Sequence, residues 1–557
     1  MTSFLANAPY ALSTSAIEDV KDLYDSMSWE DRIAQLFVLL LLGNDPADLD
    51  VVQRFKPGGV TRFFGSDLDH ERSVMEMIEA ASPIRPFVTA DLEGSRQSLA
   101  FGTAVPNQIG SAAVDDPNAT QGMAAITARE AHAMGVRWSF TPVIDINAAF
   151  RSAIVATRSY GSDIERIERH ALAHIRGLQE NGVAATVKHW PGEGYDDRDQ
   201  HLVTTVNPLS VEEWEATFGR LYRSAIDAGV LSVMTAHIAF PALVRSHFPN
   251  AGVEAYRPAS INSLINIDLL RGSLGFNGLI VSDATEMGGL GAFMKEPDTM
   301  PALLAGGCDV ILFSREPERD RAEIQRAMRE GTLAESRVED AVLRVLGLKR
   351  KLGLLDNSPL MPPREVQDAM LGRAEDRAEA RAAFQRSPTL IKDVQDLLPI
   401  SPAKHKRVLL FEGAIRHPLL PEEPRFSLPD LMVQEGFEVV RHEKGMEIDR
   451  ANHDLVLYLL GDESLLTRSR IFIDWTALGG GGIGGALRRY WHEIPTLMIS
   501  FGHPYHLYDA PRVPTYVNGW STHDEAQRAV LECLLGRSPW QGIDPVDSFC
   551  GLEDARH

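Results

Sequence analysis

The sequence predicts an α/β protein in which an N-terminal parallel barrel precedes a smaller open sheet. Eight strand-like runs alternate with helical segments across about 300 residues, the pattern of an eight-stranded α/β barrel. Five further strand-like runs alternate with helices towards the C-terminus, as in a largely parallel sheet. The length of 557 residues exceeds one ordinary hydrophobic core and favours two domains.

The barrel strands are recognised as short apolar runs that end at glycine or polar residues. The first, Leu36–Leu42, is continuously apolar, as expected for a strand covered on both faces. Helical segments such as Ser162–Asn181, which ends at an Asn-Gly signal, separate the runs. The other seven predicted strands are Gly59–Phe64, Phe87–Ala90, Trp138–Ile146, Ala185–Val187, Leu231–Ala236, Gly278–Ser282 and Asp309–Phe313.

The predicted domains are residues 1–355 for the barrel, 356–405 for a linker rich in Pro, Arg and Ala, and 406–557 for the second α/β domain. The glycine-rich run 479–485 contains a GxGxxG pattern, but it lies about twenty residues beyond the third strand of that domain, so a flexible loop is favoured over a nucleotide site. The predicted strands of the second domain are Val408–Phe411, Phe437–Arg441, Leu455–Leu460, Leu497–Phe501 and Thr515–Val517.

Composition narrows the classes of partner. A formal net charge of -22 argues against nucleic acid or an anionic membrane, because both require a basic surface, and it favours a neutral small molecule. The three cysteines, Cys308, Cys533 and Cys550, lack metal-ligand spacing and predict neither a disulfide framework nor a zinc site. The N-terminus lacks a leader pattern, and the longest apolar run is far shorter than the roughly 20 residues of a spanning helix, so we expect a cytoplasmic protein. The oligomeric state is left open.

The segment 184–206 is the predicted centre of the active site. A short strand opens into a loop that contains Pro191 and two glycines, which places Lys188, His189, Asp199 and His201 just past a strand end. Asp199 and His201 can pair, and a carboxylate that holds an imidazole fixes its tautomer and raises its basicity. Histidines and carboxylates in this loop also suggest a metal site, but without helical H-x-x-x-H spacing we expect no metal.

Other polar residues follow predicted strands in the same way. Asp91, His237 and Asp283 each come directly after one. The carboxyl ends of barrel strands face one mouth, so these side chains and those of the loop are predicted to converge there.

Six ordered segments carry a shared pattern: 91–96, 141–147, 158–161, 188–201, 234–237 and 281–283. Together they resemble glycoside hydrolase family 3, specifically its bacterial β-N-acetylglucosaminidase branch. The likeness spans residues 25–355 and continues more weakly beyond them. It implies a TIM-like (β/α)8 barrel followed by a smaller αβα three-layer sandwich. The segments, with the family patterns that they match, are Asp91–Arg96 (D-x-E-G-G-R), Thr141–Asn147 (A-P-V-x-D-V-N), Arg158–Gly161 (R-S-F-G), Lys188–His201 (K-H-F-P-G-H-G, then D-S-H), Met234–His237 (M-[TS]-A-H) and Val281–Asp283 (S-D).

The resemblance implies a retaining exo-β-N-acetylglucosaminidase that removes terminal β-linked N-acetylglucosamine through a covalent glycosyl-enzyme intermediate, without a cofactor. Asp283 would be the nucleophile, and His201 the general acid/base oriented by Asp199. His237 would be a pocket residue. The implied substrate-binding residues are Asp91, Arg96, Arg158, Lys188 and His189.

Three departures from the family pattern leave alternatives open. Glu193 stands where the family usually has histidine, Gln200 replaces serine, and Ser95 replaces glycine. Glu193 could change the resting position of the acid/base loop or compete with His201 as a proton donor. The alternatives are a β-glucosidase or dual-specificity glycosidase, and a phosphorylase, since a histidine repels incoming phosphate less than a carboxylate does. A non-catalytic carbohydrate-binding protein is the alternative of another class.

Overall fold

The computed structural model describes residues 2–42, 46–416 and 423–557, and for residues 46–48 and 296 it describes the backbone alone. The strands, numbered along the chain, are β1 Phe37–Leu41, β2 Gly59–Arg62, β3 Phe87–Ala90, β4 Trp138–Ser139, β5 Thr186–Trp190, β6 Thr205–Val206, β7 Ser232–Thr235, β8 Ile238–Ala239, β9 Leu279–Ser282, β10 Ile311–Leu312, β11 Thr389–Asp393, β12 Arg407–Arg416, β13 Glu438–Arg441, β14 Leu455–Asp462, β15 Thr496–Ser500 and β16 Thr515–Asn518. The α-helices are α1 Thr14–Ser26, α2 Trp29–Ala34, α3 Pro46–Phe55, α4 Leu68–Ala81, α5 Gln108–Val114, α6 Pro117–Ala133, α7 Ile164–Gln179, α8 Val211–Trp214, α9 Arg220–Asp227, α10 Pro241–His247, α11 Gly288–Gly291, α12 Glu296–Ala305, α13 Pro317–Arg329, α14 Glu335–Lys351, α15 Arg364–Met370, α16 Ala374–Arg386, α17 Leu428–Gln434, α18 Trp475–Leu478, α19 Ile483–Ala486 and α20 Asp524–Leu534.

Parallel pairing links eight strands of the first sheet system side by side. One group has the order β10-β1-β2-β3-β4 and a second has the order β5-β7-β9. Single parallel bridges join the groups, from Trp138 in β4 to Ala184 just before β5, and from Val281 in β9 to Val310 just before β10. The prediction of an α/β fold built on parallel strands is confirmed.

The predicted strands of this system all occur, and their bounds differ most from the predicted ones at the ends of β4 and β5. β4 ends at Ser139 rather than at Ile146, because Pro142 follows closely and has no N–H for a ladder. β5 extends to Trp190, which pairs with Thr235 of β7. Lys188 and His189 therefore lie inside a strand, whereas the sequence placed them just past its end.

The helices begin where the sequence supplies caps. At α7 the Asp163 side chain accepts a hydrogen bond of 2.8 Å from the backbone N–H of Arg166, which satisfies a donor that no helical carbonyl reaches. The segment after α7 turns at Gly182, whose φ of +78° favours glycine.

Among the described residues, no helix is both long and apolar enough to cross a bilayer.

The second sheet has the strand order β11-β16-β15-β14-β12-β13 and is parallel except for the β11–β16 pair. All five predicted strands occur in it. Alternate residues of β14 enter two separate apolar clusters: Leu455, Leu457 and Leu459 pack in one, and Val456, Tyr458 and Leu460 in the other. Because successive side chains of a strand point to opposite faces, the sheet is covered on both sides.

The segment 356–405, predicted as a linker, contains α15, α16 and β11. The indole N–H of Trp520, which follows β16, donates to the carbonyl of Ser387 and to the Thr389 hydroxyl, both at 3.0 Å. These contacts attach the start of β11 to the second sheet, so the end of this segment is part of that sheet rather than a free connection.

Candidate active site

A cavity of about 430 Å³ lies at the carboxyl ends of the first strand system. Side chains from both sheet systems line it. Those of the first are Asp91, Glu93, Arg158, Lys188, His189, His201 and Asp283, beside the apolar Leu40, Phe63, Phe140 and Met234. Those of the second are Glu463, Ser464, Leu466 and Thr467.

Asp283 directly follows β9 and is buried at the base of this cavity wall. Its backbone N–H donates to the carbonyl of Thr235 at 2.8 Å, and the N–H of Ala284 donates to its Oδ1 at 2.8 Å. Burial alone would raise the pKa of the carboxyl, but His189, His237 and the Ala284 N–H hold it below its usual range. Asp283 is therefore an ionised carboxylate held by the end of a strand.

His201 lines the cavity, and Asp199 lies buried behind it. The His201 Nδ1 is 2.7 Å from Asp199 Oδ1, which also accepts the His201 backbone N–H at 2.8 Å. Asp199 Oδ2 accepts the backbone N–H of Thr467 at 2.7 Å. Burial opposes the charge on Asp199, but these hydrogen bonds keep its pKa below its usual range. With Nδ1 engaged by a carboxylate, the other ring nitrogen of His201 is the one that can exchange a proton with a ligand.

A chain of ion pairs forms another wall of the cavity. Glu93 receives two hydrogen bonds from Arg158, at 2.8 and 2.9 Å. The Lys188 ammonium lies 2.9 Å from Glu93 and 2.7 Å from Asp91. Burial opposes charge on Glu93, Arg158 and Lys188, yet Arg158 and Lys188 lower the pKa of Glu93, and the carboxylates of Asp91 and Glu93 raise the pKa of Lys188. Four fixed charges thus present donors and acceptors suited to hydroxyl groups.

His189 is fixed by Asp145, on the inner side of the same wall. Its Nδ1 lies 2.6 Å from Asp145 Oδ2, while Asp145 Oδ1 accepts the backbone N–H groups of His189 and Glu193 at 3.0 and 2.9 Å. Asp145, His189 and Glu193 bring possible metal-ligand atoms within 4.8 Å of one another. Protein donors already engage both Asp145 oxygens, so the hydrogen bonds account for this grouping.

Glu193 is buried and does not line the cavity. Burial and the nearby Asp145 raise its pKa well above the usual range, which favours the neutral acid. Gln200 Nε2 donates to Glu193 Oε2 at 3.2 Å, and Gln200 Oε1 accepts the His237 N–H at 3.1 Å. Two departures from the family pattern are therefore hydrogen-bonded to each other, and Glu193 is not placed to protonate a ligand.

Arg96 and His237 do not line the cavity, in contrast to their predicted roles. The Arg96 guanidinium donates to Thr522 Oγ1 and to the Thr522 carbonyl, both at 2.8 Å, which joins the loop after β3 to the second sheet system. His237 is buried, with Nδ1 2.9 Å from Ser260 Oγ and Nε2 2.9 Å from the carbonyl of Ala284. His237 thus supports the residue that follows Asp283, and Arg96 secures an interface.

Glu463 was missed by sequence reasoning, as were Glu93 and the Thr467 N–H. Glu463 accepts hydrogen bonds from Ser95 at 2.7 Å and from the Thr522 hydroxyl at 2.6 Å. Ser95 has a φ of +50°, which explains the glycine of the family pattern, and its hydroxyl contact with Glu463 offsets the strain. The third position of the Asp91–Arg96 segment was the available signal for Glu93. Glu463 has no local signal, because its partners Ser95 and Thr522 lie 368 and 59 positions away.

Comparisons with known proteins identify a family and several relatives of this chain. Residues 30–348 match the family described as glycosyl hydrolase family 3 N terminal domain. The β-N-acetylglucosaminidase/β-glucosidase of Cellulomonas fimi is 34% identical over 99% of each chain. A β-hexosaminidase of Pseudomonas aeruginosa is 31% identical over 50% of this chain and 81% of its own length.

Two solved structures resemble the whole chain. The β-glucoside phosphorylase BglX is 34% identical, with a TM-score of 0.92 over 100% of both chains. A family 3 β-N-acetylglucosaminidase from Paenibacillus sp. has a TM-score of 0.79 at 22% identity, over 95% of this chain and 100% of its own, a likeness that shows the fold alone. From the matched residues and the full-length relative together, the chain is a glycoside hydrolase enzyme and belongs to glycoside hydrolase family 3.

Proposed function

We propose that the protein is an exo-acting, retaining β-N-acetylglucosaminidase that also accepts β-glucosides. The observation that carries the proposal is that one cavity is lined by the ionised Asp283 and by His201, whose ring is held by Asp199. A retaining glycosidase needs a carboxylate for the anomeric carbon and a proton donor for the leaving oxygen. The full-length Cellulomonas fimi relative, whose name combines both activities, supports the two sugars together.

In the first step, Asp283 attacks the anomeric carbon while the protonated ring nitrogen of His201 donates its proton to the departing oxygen. The bond to the aglycone breaks, and a glycosyl ester of Asp283 forms. In the second step, the neutral His201 takes a proton from water, whose oxygen attacks the same carbon and releases the carboxylate. Asp199 stabilises the cationic imidazole that precedes each proton donation.

The charged wall would bind the sugar that is released. Lys188 and Arg158 offer donors, and Asp91 offers an acceptor, on one side of the cavity. Because their charges are already paired, these groups can bind hydroxyls without the cost of moving to meet them. His189, held by Asp145, presents its remaining ring nitrogen from the same wall.

The architecture that supports this function is proposed as a TIM-like barrel domain, residues 1–355, followed by an αβα sandwich domain over residues 406–557. The linked parallel strands of the first system and the two-sided core of the second support this division. The connection, residues 356–405, would contribute β11 to the sandwich.

The test is the initial rate with p-nitrophenyl β-N-acetylglucosaminide and p-nitrophenyl β-glucoside, together with proton NMR of the first product. We expect both substrates to be cleaved and the β-anomer to appear before the α-anomer. An α-anomer formed first would exclude the double displacement. Cleavage of neither sugar would show that the family fold serves another substrate or binds without turnover.

Phosphorolysis is the second candidate, and one feature of the site favours it. The proton-transfer group is an imidazole rather than a carboxylate, so an incoming phosphate anion meets less repulsion. The likeness to a β-glucoside phosphorylase over the whole chain supports the same alternative. Phosphate would then replace water in the second step and leave with the sugar as a glycosyl phosphate. Turnover that rises with added phosphate and yields a sugar 1-phosphate would establish it, and a free sugar at every phosphate concentration would exclude it.

A further inference from the structure

A second, smaller crevice lies at the carboxyl ends of β12 and β14 in the second sheet, with a volume of about 190 Å³. β13 pairs with one edge of β12, and the next strand, β14, pairs with the other edge. The order in which strands are added to the sheet therefore reverses at β12. Open α/β sheets characteristically bind ligands in the crevice formed at such a reversal. No residue that lines this crevice lines the larger cavity.

Two buried polar side chains line the crevice without a hydrogen-bond partner among the described residues. His506 is 1% exposed and neither of its ring nitrogens is bonded. Asp462, the last residue of β14, is 9% exposed and its Oδ1 is unbonded. Buried polar groups without partners are rare in folded proteins. Two of them at one crevice therefore point to a ligand that would bond both.

The lining indicates what kind of ligand fits. Glu412 and Asp474 bring negative charge, whereas Arg416, whose Nε is 3.7 Å from Asp462 Oδ1, brings positive charge. This mixture favours neither an anion nor a cation. Phe472, which is 48% exposed, adds an aromatic surface. Hydrogen-bonding groups beside an exposed ring suit a molecule that has hydroxyls at its edge and C–H groups on its face.

Ionisation of the two buried groups agrees with a neutral ligand. Burial lowers the pKa of His506 to about 3, so its ring is uncharged and offers one donor and one acceptor. Burial raises the pKa of Asp462 to about 6, so this group can also exist as a donor in mildly acidic solution.

We propose that this crevice is a non-catalytic binding site for one neutral monosaccharide, held by His506, Asp462 and the Phe472 ring. The site is independent of the reaction proposed for the larger cavity. It is also adjacent to that cavity along the chain, because Glu463, the residue after Asp462, lines the cavity.

Equilibrium dialysis with radiolabelled D-glucose and N-acetyl-D-glucosamine tests the proposal, with the full chain at high concentration. We expect His506→Phe and Asp462→Leu each to remove one bound sugar per chain for at least one of the two sugars. His170→Phe is the matched control: His170 of α7 is also buried with an unbonded ring nitrogen, but it does not line the crevice. This control is expected to bind as many sugars as wild type, and melting temperatures show whether each variant folds.

Lys188→Met distinguishes binding in the crevice from binding in the larger cavity, because Lys188 lines the cavity and not the crevice. We expect this variant to retain the sugar that His506→Phe loses, and a crystal soaked with the same sugar to show it at the carboxyl ends of β12 and β14. The proposal is overturned if His506→Phe and Asp462→Leu bind as many sugars as wild type, or if Lys188→Met binds none. Displacement of the crevice sugar by inorganic phosphate would also overturn it, because the site would then select an anion.

Discussion

The two walls of the active-site cavity are built in different ways. The sugar-binding wall consists of charged side chains that the first strand system supplies and that neutralise one another, from Asp91 through Lys188 and Glu93 to Arg158. The proton-transfer wall consists of a loop residue, His201, whose partner Asp199 is held from the second sheet system by the Thr467 N–H. Side chains of the first strand system are therefore sufficient to preorganise the sugar-binding wall. The proton-transfer group, in contrast, depends on both regions.

The largest effect on activity is expected at Asp283, which attacks the anomeric carbon in the proposed reaction. Asp283→Ala removes the proposed nucleophile, and we expect kcat to fall on the order of 10⁴-fold or more. Rapid-quench measurement of the glycosyl-enzyme should find none in the variant. Retention of more than a tenth of the wild-type rate would assign the nucleophile elsewhere.

The proton-transfer wall is tested by Asp199→Asn. The amide oxygen can still accept the Thr467 N–H, but the charge that stabilises the His201 cation is gone. We expect kcat to fall about 10²–10⁴-fold with KM nearly unchanged, since general acid/base catalysis contributes about that much. Steady-state kinetics on both p-nitrophenyl substrates measures the split. A change confined to KM would show that the pair binds the substrate instead.

The sugar-binding wall is tested by Lys188→Met, which leaves Asp91 and Glu93 without a cation they now share. We expect a loss of about 3–5 kcal/mol of stability, the usual cost of breaking a buried ion pair, together with a raised KM. Lys406→Met is the control. Lys406 pairs with Glu438 at 2.8 Å, but both side chains are 58% exposed. Its loss should cost less than about 1 kcal/mol. Equal shifts of the melting temperature would contradict the comparison.

The smallest effect on activity is expected for Glu193→Gln, which replaces a neutral acid by a neutral amide. Because the pKa of Glu193 is raised by folding, the unfolded chain loses this proton first, and wild-type stability declines as pH rises above the ordinary range of glutamate. The variant lacks this decline. The melting temperature of the variant minus that of wild type should increase steadily from pH 5 to pH 8. We expect kcat at pH 6 to stay within about threefold of wild type. Parallel pH profiles of stability would show that Glu193 is ionised in the folded protein.

Sequence reasoning located the strand-end residues because their physical cause is local. An apolar run followed by a charged residue marks the mouth of a parallel barrel, and Asp91 and Asp283, which directly follow β3 and β9, both line the observed cavity. The bounds of β5 were less predictable, since its extension to Trp190 depends on pairing with β7. A residue that follows a strand can be predicted from the sequence of that strand, whereas the end of β5 depends on the neighbouring strand β7.

The contacts between regions could not be predicted. Arg96 carries a family motif and looks like a ligand-binding residue, but its guanidinium bonds Thr522, 426 positions further along the chain. Glu193 and Gln200 each read as an isolated departure from a pattern, and only their hydrogen bond shows that the two changes belong together. Such pairings depend on the final packing and leave no periodic signal.

The Thr467 N–H that holds Asp199 has an evolutionary consequence. Every amino acid except proline carries this donor, and the φ of +65° at Thr467 is a left-handed conformation that glycine and asparagine adopt most readily, so these residues could replace Thr467 among descendants without loss of the bond. Selection would act instead on the path and length of the loop that delivers the amide. Comparison of related sequences would then show mainly glycine or asparagine besides threonine at position 467, and little variation in the length of the loop around it.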